Sequence, residues 1–336
     1  MSDGARVVDV HTHVIPPALV AAMRAGDGPD GARTAVEGGR EWVVHRQGYR
    51  YPLEPPFHDL DARLAAMDAA GTDVAVVSLA PPFLLHWAPA DEAREVARLV
   101  NEDVAAMCEQ AGGRLAGLAT LPMQDPAAAV GELERAVGEL GLRGAQVGTT
   151  VEGVPLDHDE LAPVLAAAER LGVPLLVHPY YVGSAPGYED FYLTNLVNNP
   201  LQTAVCAARL ILSGALDRHP RLRVLLVHAG GHLPFQIGRL DHGHAVRPEA
   251  RGCARPPSAY LARFAYDTIA FRGDALAFLV ALVGAERVVY GSDTPFDMAD
   301  GPCPEVLARA GLEGAAAAAV AGANAARLFG LEEVGR

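Results

Sequence analysis

Short apolar runs alternate with helical segments along the whole chain, and this alternation constrains the fold more than any other feature of the sequence. The apolar runs are rich in valine, leucine and isoleucine. The segments between most of them have helical spacing, for example residues 59–70, 90–110, 126–140, 158–171, 201–216 and 274–283. Strand followed by helix, repeated, predicts parallel strands joined by crossover helices. The predicted strands are residues 7–10, 74–79, 115–121, 144–147, 175–177, 224–227, 264–269 and 288–290.

Eight such units in 336 residues favour a (β/α)8 TIM barrel, an α/β fold in which residues 1–336 form one domain. Several predicted strands are apolar at every position, as expected for parallel strands that are covered on both faces. The alternative is an open, doubly wound sheet, but its dinucleotide-binding sequence G-x-G-x-x-G follows none of the strands. Helical stretches at 304–310 and 315–329 are expected to close the barrel after strand eight.

A long segment rich in glycine and proline, residues 14–58, follows strand one. It contains a possible hairpin with strands at 42–44 and 49–51. Because the segment leaves the carboxyl end of a barrel strand, we expect it to lie over the mouth of the barrel as a lid, where such folds place their active sites. The alternative is a surface loop without a function.

Charge and composition exclude several classes of function. The chain has 27 basic and 41 acidic residues, and a net charge of -14 would repel nucleic acids and anionic membranes. All basic residues are arginines, so the chain cannot form a lysine Schiff base, a Walker A loop or a carbamylated-lysine metal bridge. Four widely spaced cysteines form no C-x-x-C pair, and no apolar run is long enough to span a bilayer. These features predict a cytoplasmic protein with reduced thiols.

Polar residues that can bind a metal stand at the ends of four predicted strands. His11 and His13 are two residues apart at the end of strand one, so their side chains point the same way. His178 ends strand five, His228 ends strand six and Asp293 follows strand eight. A barrel gathers the carboxyl ends of its strands at one face, which predicts a site for a divalent ion there.

Some histidines and Asp293 also fit roles outside a metal site. Asp293 could instead cap the amino end of a helix, because Ser-Asp-Thr-Pro is also a helix start. His232 could line the pocket, although a loop position or a supporting role behind the ligands is favoured. The remaining histidines are expected to face solvent, among them His45, His58, His86, His158, His219, His242 and His244.

Four motifs together resemble a known family. They are H-x-H on strand one, V-H-P after strand five, H-x-G-G after strand six and G-S-D-x-P-F after strand eight. In this combination the sequence resembles the amidohydrolase superfamily, in particular its mononuclear, aminocarboxymuconate-semialdehyde decarboxylase-like branch. The resemblance covers nearly the whole chain and implies that His11, His13, His178 and Asp293 bind one zinc ion, with a water completing its shell. It implies further that His228 is the catalytic acid/base residue.

The same resemblance implies how the substrate is bound. An arginine in the insertion, Arg50 or the nearby Arg46, and Arg239 from the neighbouring subunit of a homodimer would bind substrate carboxylates. Tyr192 stands where the family has a tryptophan over the pocket, and Phe296 belongs to the motif after strand eight. Both are therefore expected to contact the substrate. Arg239 could equally be a surface or interface ion-pair residue.

The leading functional hypothesis is a metal-dependent, non-oxidative decarboxylase of an unsaturated or aromatic carboxylic acid, because a metal-bound conjugated substrate can accept the charge left by departing CO2. The alternative is a hydrolase of a lactone, ester or amide on the same scaffold. A barrel that serves only as a binding or structural module is the third hypothesis.

Overall fold

The computed structural model describes residues 6–180 and 187–331, and its strands occur at all eight predicted positions. Each apolar run forms a parallel strand because both of its faces are covered, one by the barrel interior and the other by helices. In chain order the strands are β1 (Val8–Val14), β2 (Arg33–Glu37), β3 (Arg40–Val44), β4 (Arg50–Pro52), β5 (Val74–Leu79), β6 (Leu115–Gly117), β7 (Ala119–Thr120), β8 (Ala145–Gly148), β9 (Thr150–Val151), β10 (Val154–Pro155), β11 (Pro174–His178), β12 (Arg223–Leu226), β13 (Phe264–Asp267) and β14 (Val288–Val289).

The barrel strands follow one another around a ring in chain order. β1, β5 and β6 form one parallel sheet, and β7, β8, β11, β12, β13 and β14 form another. The two sheets share one chain segment, because the Leu118 amide donates to Val77 while the Ala119 amide donates to Gly144. At the other seam, the Val10 amide donates to the Tyr290 carbonyl (2.9 Å), which joins β1 to the chain after β14. The fold is the predicted TIM barrel.

Helices cover the outside of the barrel and match the predicted segments closely. The segment predicted at 201–216 is divided at Ser213 and Gly214, and the last predicted helix contains a π-helical turn at Ala319–Ala323. Within the described ranges, no helix is both long and apolar enough to cross a membrane. The helices are α1 (Pro17–Ala25), α2 (Leu60–Ala70), α3 (Ala90–Gln110), α4 (Pro126–Gly138), α5 (Ala162–Leu171), α6 (Asn199–Leu212), α7 (Ala215–Arg218), α8 (Leu233–Val246), α9 (Gly273–Val283), α10 (Cys303–Arg309), α11 (Gly314–Ala318) and α12 (Asn324–Phe329).

The insertion at 14–58 folds into α1 and a three-stranded antiparallel sheet of β2, β3 and β4. The predicted hairpin is present as β3 and β4, with Val43 opposite Tyr51. The Tyr51 ring is buried and lies 5.3 Å from the Phe296 ring, measured between centroids. Phe296 follows strand eight, so the insertion packs against the loop that leaves the last barrel strand.

Candidate metal centre

Four side chains from three separate parts of the chain meet at the carboxyl ends of the strands. His11 and His13 come from β1, His178 is the last residue of β11, and Asp293 follows β14. All four are buried, and one ligand atom from each lies within 4.8 Å of the others. Barrel topology brings them together, because parallel strands end at the same face.

Hydrogen bonds at Nδ1 determine which nitrogen of each imidazole is free. His11 donates from Nδ1 to Asp267 Oδ2 (2.8 Å), and His13 donates from Nδ1 to Ser78 Oγ (3.2 Å). His178 donates from Nδ1 to the carbonyl of Pro179. With Nδ1 protonated in all three rings, each Nε2 carries a lone pair that can bind a metal.

The three Nε2 atoms and one carboxylate oxygen converge on a single point. His13 Nε2 lies 3.1 Å from His11 Nε2 and 3.0 Å from Asp293 Oδ1. His178 Nε2 is buried and has no hydrogen-bond partner in the described part of the chain. Two lone pairs cannot hydrogen-bond to each other, whereas a cation placed between them would satisfy both. Three imidazole nitrogens and a carboxylate are a donor set suited to a divalent transition metal. A divalent metal site is therefore indicated.

The electrostatics of His13, His178 and Asp293 agree with this set of donors. Burial lowers the pKa of His13 to about 4 and lowers the pKa of His178 well below its usual value. Burial acts to raise the pKa of Asp293, but His11 and His13 outweigh it and lower that pKa. Burial also opposes protonation of His11, yet the carboxylates of Asp293 and Asp267 outweigh it and raise the His11 pKa. Neutral His13 and His178 and an ionised carboxylate are the forms that bind metal.

Asp267 supports the centre, although no sequence pattern singled it out. It is fully buried at the end of β13, and its carboxylate accepts hydrogen bonds from His11 Nδ1 and from the backbone amides of His228 (2.9 Å), Ala229 (2.7 Å) and Ile269 (3.1 Å). The sequence does offer a signal for Asp267, since it is an acidic residue near the end of predicted strand seven. The ends of four other predicted strands had already supplied candidate site residues.

His228 lies beside the four-residue centre in a left-handed backbone conformation. Its φ is 55°, as is that of Ala229, and Asp267 holds both amides. The His228 ring centroid is 5.2 Å from that of His178, and its Nδ1 is buried without a hydrogen-bond partner among the described residues. Burial, and next the nearby His11, lower the pKa of His228. A neutral imidazole is therefore available next to the metal site.

A cavity of about 350 Å³ opens onto the centre. Tyr192 and Phe296, both predicted to contact substrate, are part of its wall together with His228. Tyr49 from the insertion also lines the cavity and forms a hydrogen bond with Tyr192. The remaining lining residues are Pro81, Pro82, His178, Pro179, Tyr188, Glu189, Thr194, Asn195, Asn199, Asp293, Asp297 and Met298.

The three arginines expected to bind substrate lie outside the cavity of their own chain. Arg50 alternates on β4 with the buried Tyr51, so it points away from the barrel, where it pairs with Glu37 (2.7 Å) and stacks on Trp42. Arg46 pairs with Asp30 (2.7 Å). Arg239 is exposed on α8. None of the three lines the cavity.

Three further histidines differ in burial, and none of them lines the cavity. His45 and His86 are buried, contrary to the expectation that they face solvent. His86 accepts a hydrogen bond from the Gly148 amide (3.3 Å), and its ring packs edge-on against Tyr180. His232 is exposed just before α8 and does not line the cavity.

Comparisons with known proteins give a consistent result. The profile of the Amidohydrolase family matches residues 8–331. A 2-amino-3-carboxymuconate-6-semialdehyde decarboxylase from Dictyostelium discoideum is 33% identical over 244 residues, which cover 72% of this chain and 68% of that protein. The crystal structure of 5-carboxyvanillate decarboxylase from Sphingomonas paucimobilis superposes with a TM-score of 0.83 at 29% identity and covers 98% of this chain and 100% of its own. A dihydroxybenzoic acid decarboxylase from a Polaromonas species, solved with manganese and an inhibitor, has a TM-score of 0.80 at 26% identity and 97% coverage of both chains.

Proposed function

The chain belongs to the amidohydrolase family, and from this premise we propose that it is a metal-dependent, non-oxidative decarboxylase of an unsaturated or aromatic carboxylic acid. The observation that carries the proposal is the buried cluster of His11, His13, His178 and Asp293 at the floor of a substrate-sized cavity. The relatives from Dictyostelium, Sphingomonas and Polaromonas are all decarboxylases.

Decarboxylation breaks one carbon–carbon bond, releases CO2 and leaves the bonding electron pair on the substrate carbon, which then takes up a proton. A bound divalent ion supplies a Lewis acid that stabilises the developing negative charge. His228 is placed to transfer this proton, because its Nδ1 has no hydrogen-bond partner among the described residues and burial lowers its pKa, which favours the neutral imidazole. Tyr192 and Phe296 would hold the conjugated part of the substrate over the centre.

We propose that His11, His13, His178 and Asp293 hold one ion and that this ion is zinc. Imidazole nitrogen with a single carboxylate oxygen suits zinc, which keeps an open position in catalytic sites. Manganese in the Polaromonas relative makes the choice of metal a question for measurement. Metal analysis of protein purified without added metal, followed by reconstitution with each ion, would identify it.

We further propose a homodimer in which Arg239 reaches the neighbouring cavity. Phe235 and Arg239 lie one turn apart on α8, and the Phe235 side chain is 79% exposed. The Phe278 ring on α9, 45% exposed, lies 6.2 Å from that of Phe235, so the two rings form an exposed apolar patch that includes the residue one turn before Arg239. A second copy would cover this patch, and Phe235→Glu should convert the dimer into monomers in sedimentation. A wild-type protein that is monomeric and fully active would refute the arrangement.

We place the protein in the cytoplasm, as its thiols suggest. Cys108, Cys206, Cys253 and Cys303 are all unpaired. Cys206, Cys253 and Cys303 are also buried. Unpaired thiols are typical of a reducing compartment.

The test is CO2 release by zinc-loaded and manganese-loaded protein. The substrates would be amino- and hydroxycarboxymuconate semialdehydes and a panel of ortho-hydroxyaryl acids. We expect release from at least one of them, and His228→Ala should keep the metal while losing turnover by about 100-fold or more. His232→Ala, an exposed histidine four residues away, is the matched control. Hydrolysis of lactones or esters without CO2 release from any acid would favour the hydrolase instead.

A further inference from the structure

A second cavity, of about 310 Å³, lies at the amino ends of β12, β13 and β14, on the face of the barrel opposite the metal centre. Five of the 27 arginines line it, whereas Glu286 is the one carboxylate that the described part of the chain contributes to its wall. In a chain with a net charge of -14, this wall reverses the sign of the charge locally. We call the five residues the arginine cluster, which consists of Arg221, Arg223, Arg263, Arg287 and Arg327.

The barrel topology brings the arginine cluster together from separate parts of the chain. Arg223 begins β12, Arg263 immediately precedes β13, and Arg287 immediately precedes β14. The residues that follow Arg223 and Arg263 are paired between β12 and β13, and neighbouring strands are about 4.8 Å apart. Arg327 comes from α12, whose Leu328 carbonyl accepts a hydrogen bond from Arg223 Nη1 (3.4 Å). Three consecutive strands and a helix therefore direct positive charge to one place.

The guanidinium groups of the cluster have no carboxylate partner within the described ranges. Arg223, Arg263 and Arg327 donate hydrogen bonds to neutral oxygens, either backbone carbonyls or a side-chain amide. The side chains of Arg221 and Arg287 make no hydrogen bond, and none of the five forms an ion pair, among the residues that the structure describes. Each guanidinium has five N–H donors, so donors remain available throughout the cluster. An anion between these groups would also relieve their mutual repulsion.

We infer that this cavity is a binding site for a small anion that carries two phosphate groups. The planar guanidinium group donates two parallel hydrogen bonds to a phosphate, which makes arginine well suited to this ligand. Five arginines and one glutamate leave an excess of four positive charges. A phosphate monoester carries about -1.5 to -2 charges at pH 7, so two of them nearly balance that excess. The volume matches a small molecule and is too small for a folded partner.

The probe for this site is fructose 1,6-bisphosphate, compared with fructose 6-phosphate and fructose. Isothermal titration into zinc-loaded wild-type protein at low ionic strength should show one bisphosphate bound per chain. We expect it to bind at least ~10-fold more tightly than the monophosphate, because the second phosphate gains its own charged hydrogen bonds. Fructose should not bind, and added salt should weaken the bisphosphate by screening the charges.

Matched double variants assign the binding to the cluster. Arg221→Gln with Arg287→Gln removes two charges without breaking a side-chain hydrogen bond of the described chain, and should weaken the bisphosphate by about 10-fold or more. Arg33→Gln with Arg247→Gln removes the same charge from exposed positions outside the cavity, and should leave the affinity unchanged. Both variants keep the metal centre, so binding of phosphate at the metal cannot produce the difference.

The remaining outcomes would overturn the inference. They are no binding of the bisphosphate, equal affinity in the two double variants, or equally tight binding of a tetraglutamate peptide, which would indicate an acidic protein segment as the ligand. Glu332 and Glu333 follow the last described residue, and changing both to glutamine should leave the bisphosphate affinity unchanged. Tighter binding after that change would assign the cluster to these carboxylates instead. None of these measurements depends on CO2 release, so the inference stands or falls apart from the proposed function.

Discussion

At the residue scale, Asp267 connects the metal centre to His228 through one carboxylate. Its Oδ2 accepts from His11 Nδ1 and from the His228 amide, and its Oδ1 accepts from the Ala229 amide. The first bond fixes the His11 tautomer, and the other two hold a left-handed backbone that is unfavourable for residues other than glycine. Losing one acceptor should therefore affect metal affinity and proton transfer together.

Asp267→Asn should weaken metal binding by about 10- to 100-fold, as is typical for partners that orient metal ligands. The amide keeps one acceptor oxygen but replaces the other with an NH2 group. Each oxygen of the carboxylate accepts from two donors, so two of the four donors lose their partner. Competition with a chelator would measure the loss. Ser78→Ala, which removes the neutral and longer hydrogen bond to His13, is the comparison and should lose less. Equal metal affinity in Asp267→Asn and wild type would show that Asp267 is not a positioning residue.

The sequence identified residues that touch the centre better than residues that support it. His11, His13, His178, His228 and Asp293 stood out because strand ends and motifs marked them, and the structure brings them together. Ser78 could not be found in this way, since it is an ordinary residue inside an apolar strand. Its importance depends on its position opposite His13, which only the pairing of β1 with β5 creates.

At the element scale, the metal ligands fit together because the chain after β14 passes close to both β1 and β13. A β carbon built on Gly291 would lie 2.9 Å from His11 Cβ and 3.0 Å from Asp267 Cβ. The missing side chain therefore allows the chain after β14 to pass between β1 and β13. This contact explains in physical terms why a glycine precedes Ser292 and Asp293 in the last motif.

Gly291→Ala should push His11 away from Asp267 and reduce both metal affinity and stability. Overpacking of this kind costs about 1–3 kcal/mol. Metal content after dialysis and the midpoint of urea unfolding would measure the two effects. Gly131→Ala is the control, because its β carbon would meet no atom within 4 Å and it lies within α4. Full metal occupancy in Gly291→Ala would refute the close-approach argument.

The elements themselves were predictable where burial was uniform. Continuous apolar runs located β5 and β11 because both faces of a barrel strand are covered. The break between β6 and β7 was not predictable, since Leu118 is as apolar as its neighbours and only its change of partner ends the strand. Likewise β2 was missed because it is largely exposed and shows little apolar alternation.

Pairing also affects the two histidines of β1. The register with β5 shifts between Asp9 and Thr12, so β1 contains an irregularity just before and at His11. A strict two-residue period would place Val8 and Val10 on one side of β1 and His11 and His13 on the other. Val8 and Val10 belong to one core cluster with residues of neighbouring strands, and His11 and His13 point to the common centre. The two-residue spacing of His11 and His13 therefore predicted that they share a side, whereas the irregularity before His11 means that counting from Val10 could not predict which side.

At the scale of the whole molecule, buried neutral histidines outside the metal centre couple folding to pH. Burial lowers the pKa of His45 to about 4 and of His86 to about 3, against an ordinary value of 6.5. Between these values and pH 6.5 the unfolded chain binds protons that the folded chain does not. Stability should therefore fall as the pH drops below 6.5, by up to about 1.4 kcal/mol per pH unit for each histidine, until the folded protein also takes up the proton.

His86→Gln isolates one of these contributions, because the glutamine oxygen can still accept the Gly148 amide but cannot take up a proton. Urea unfolding between pH 6.5 and 4.5 should show a shallower loss of stability in this variant than in wild type. His158→Gln, which changes an exposed histidine, should keep the wild-type slope. The metal-binding histidines add the same pH dependence to all three proteins, so the difference between slopes belongs to His86. A His86→Gln slope equal to that of wild type would mean that His86 is protonated in the folded protein, despite its burial.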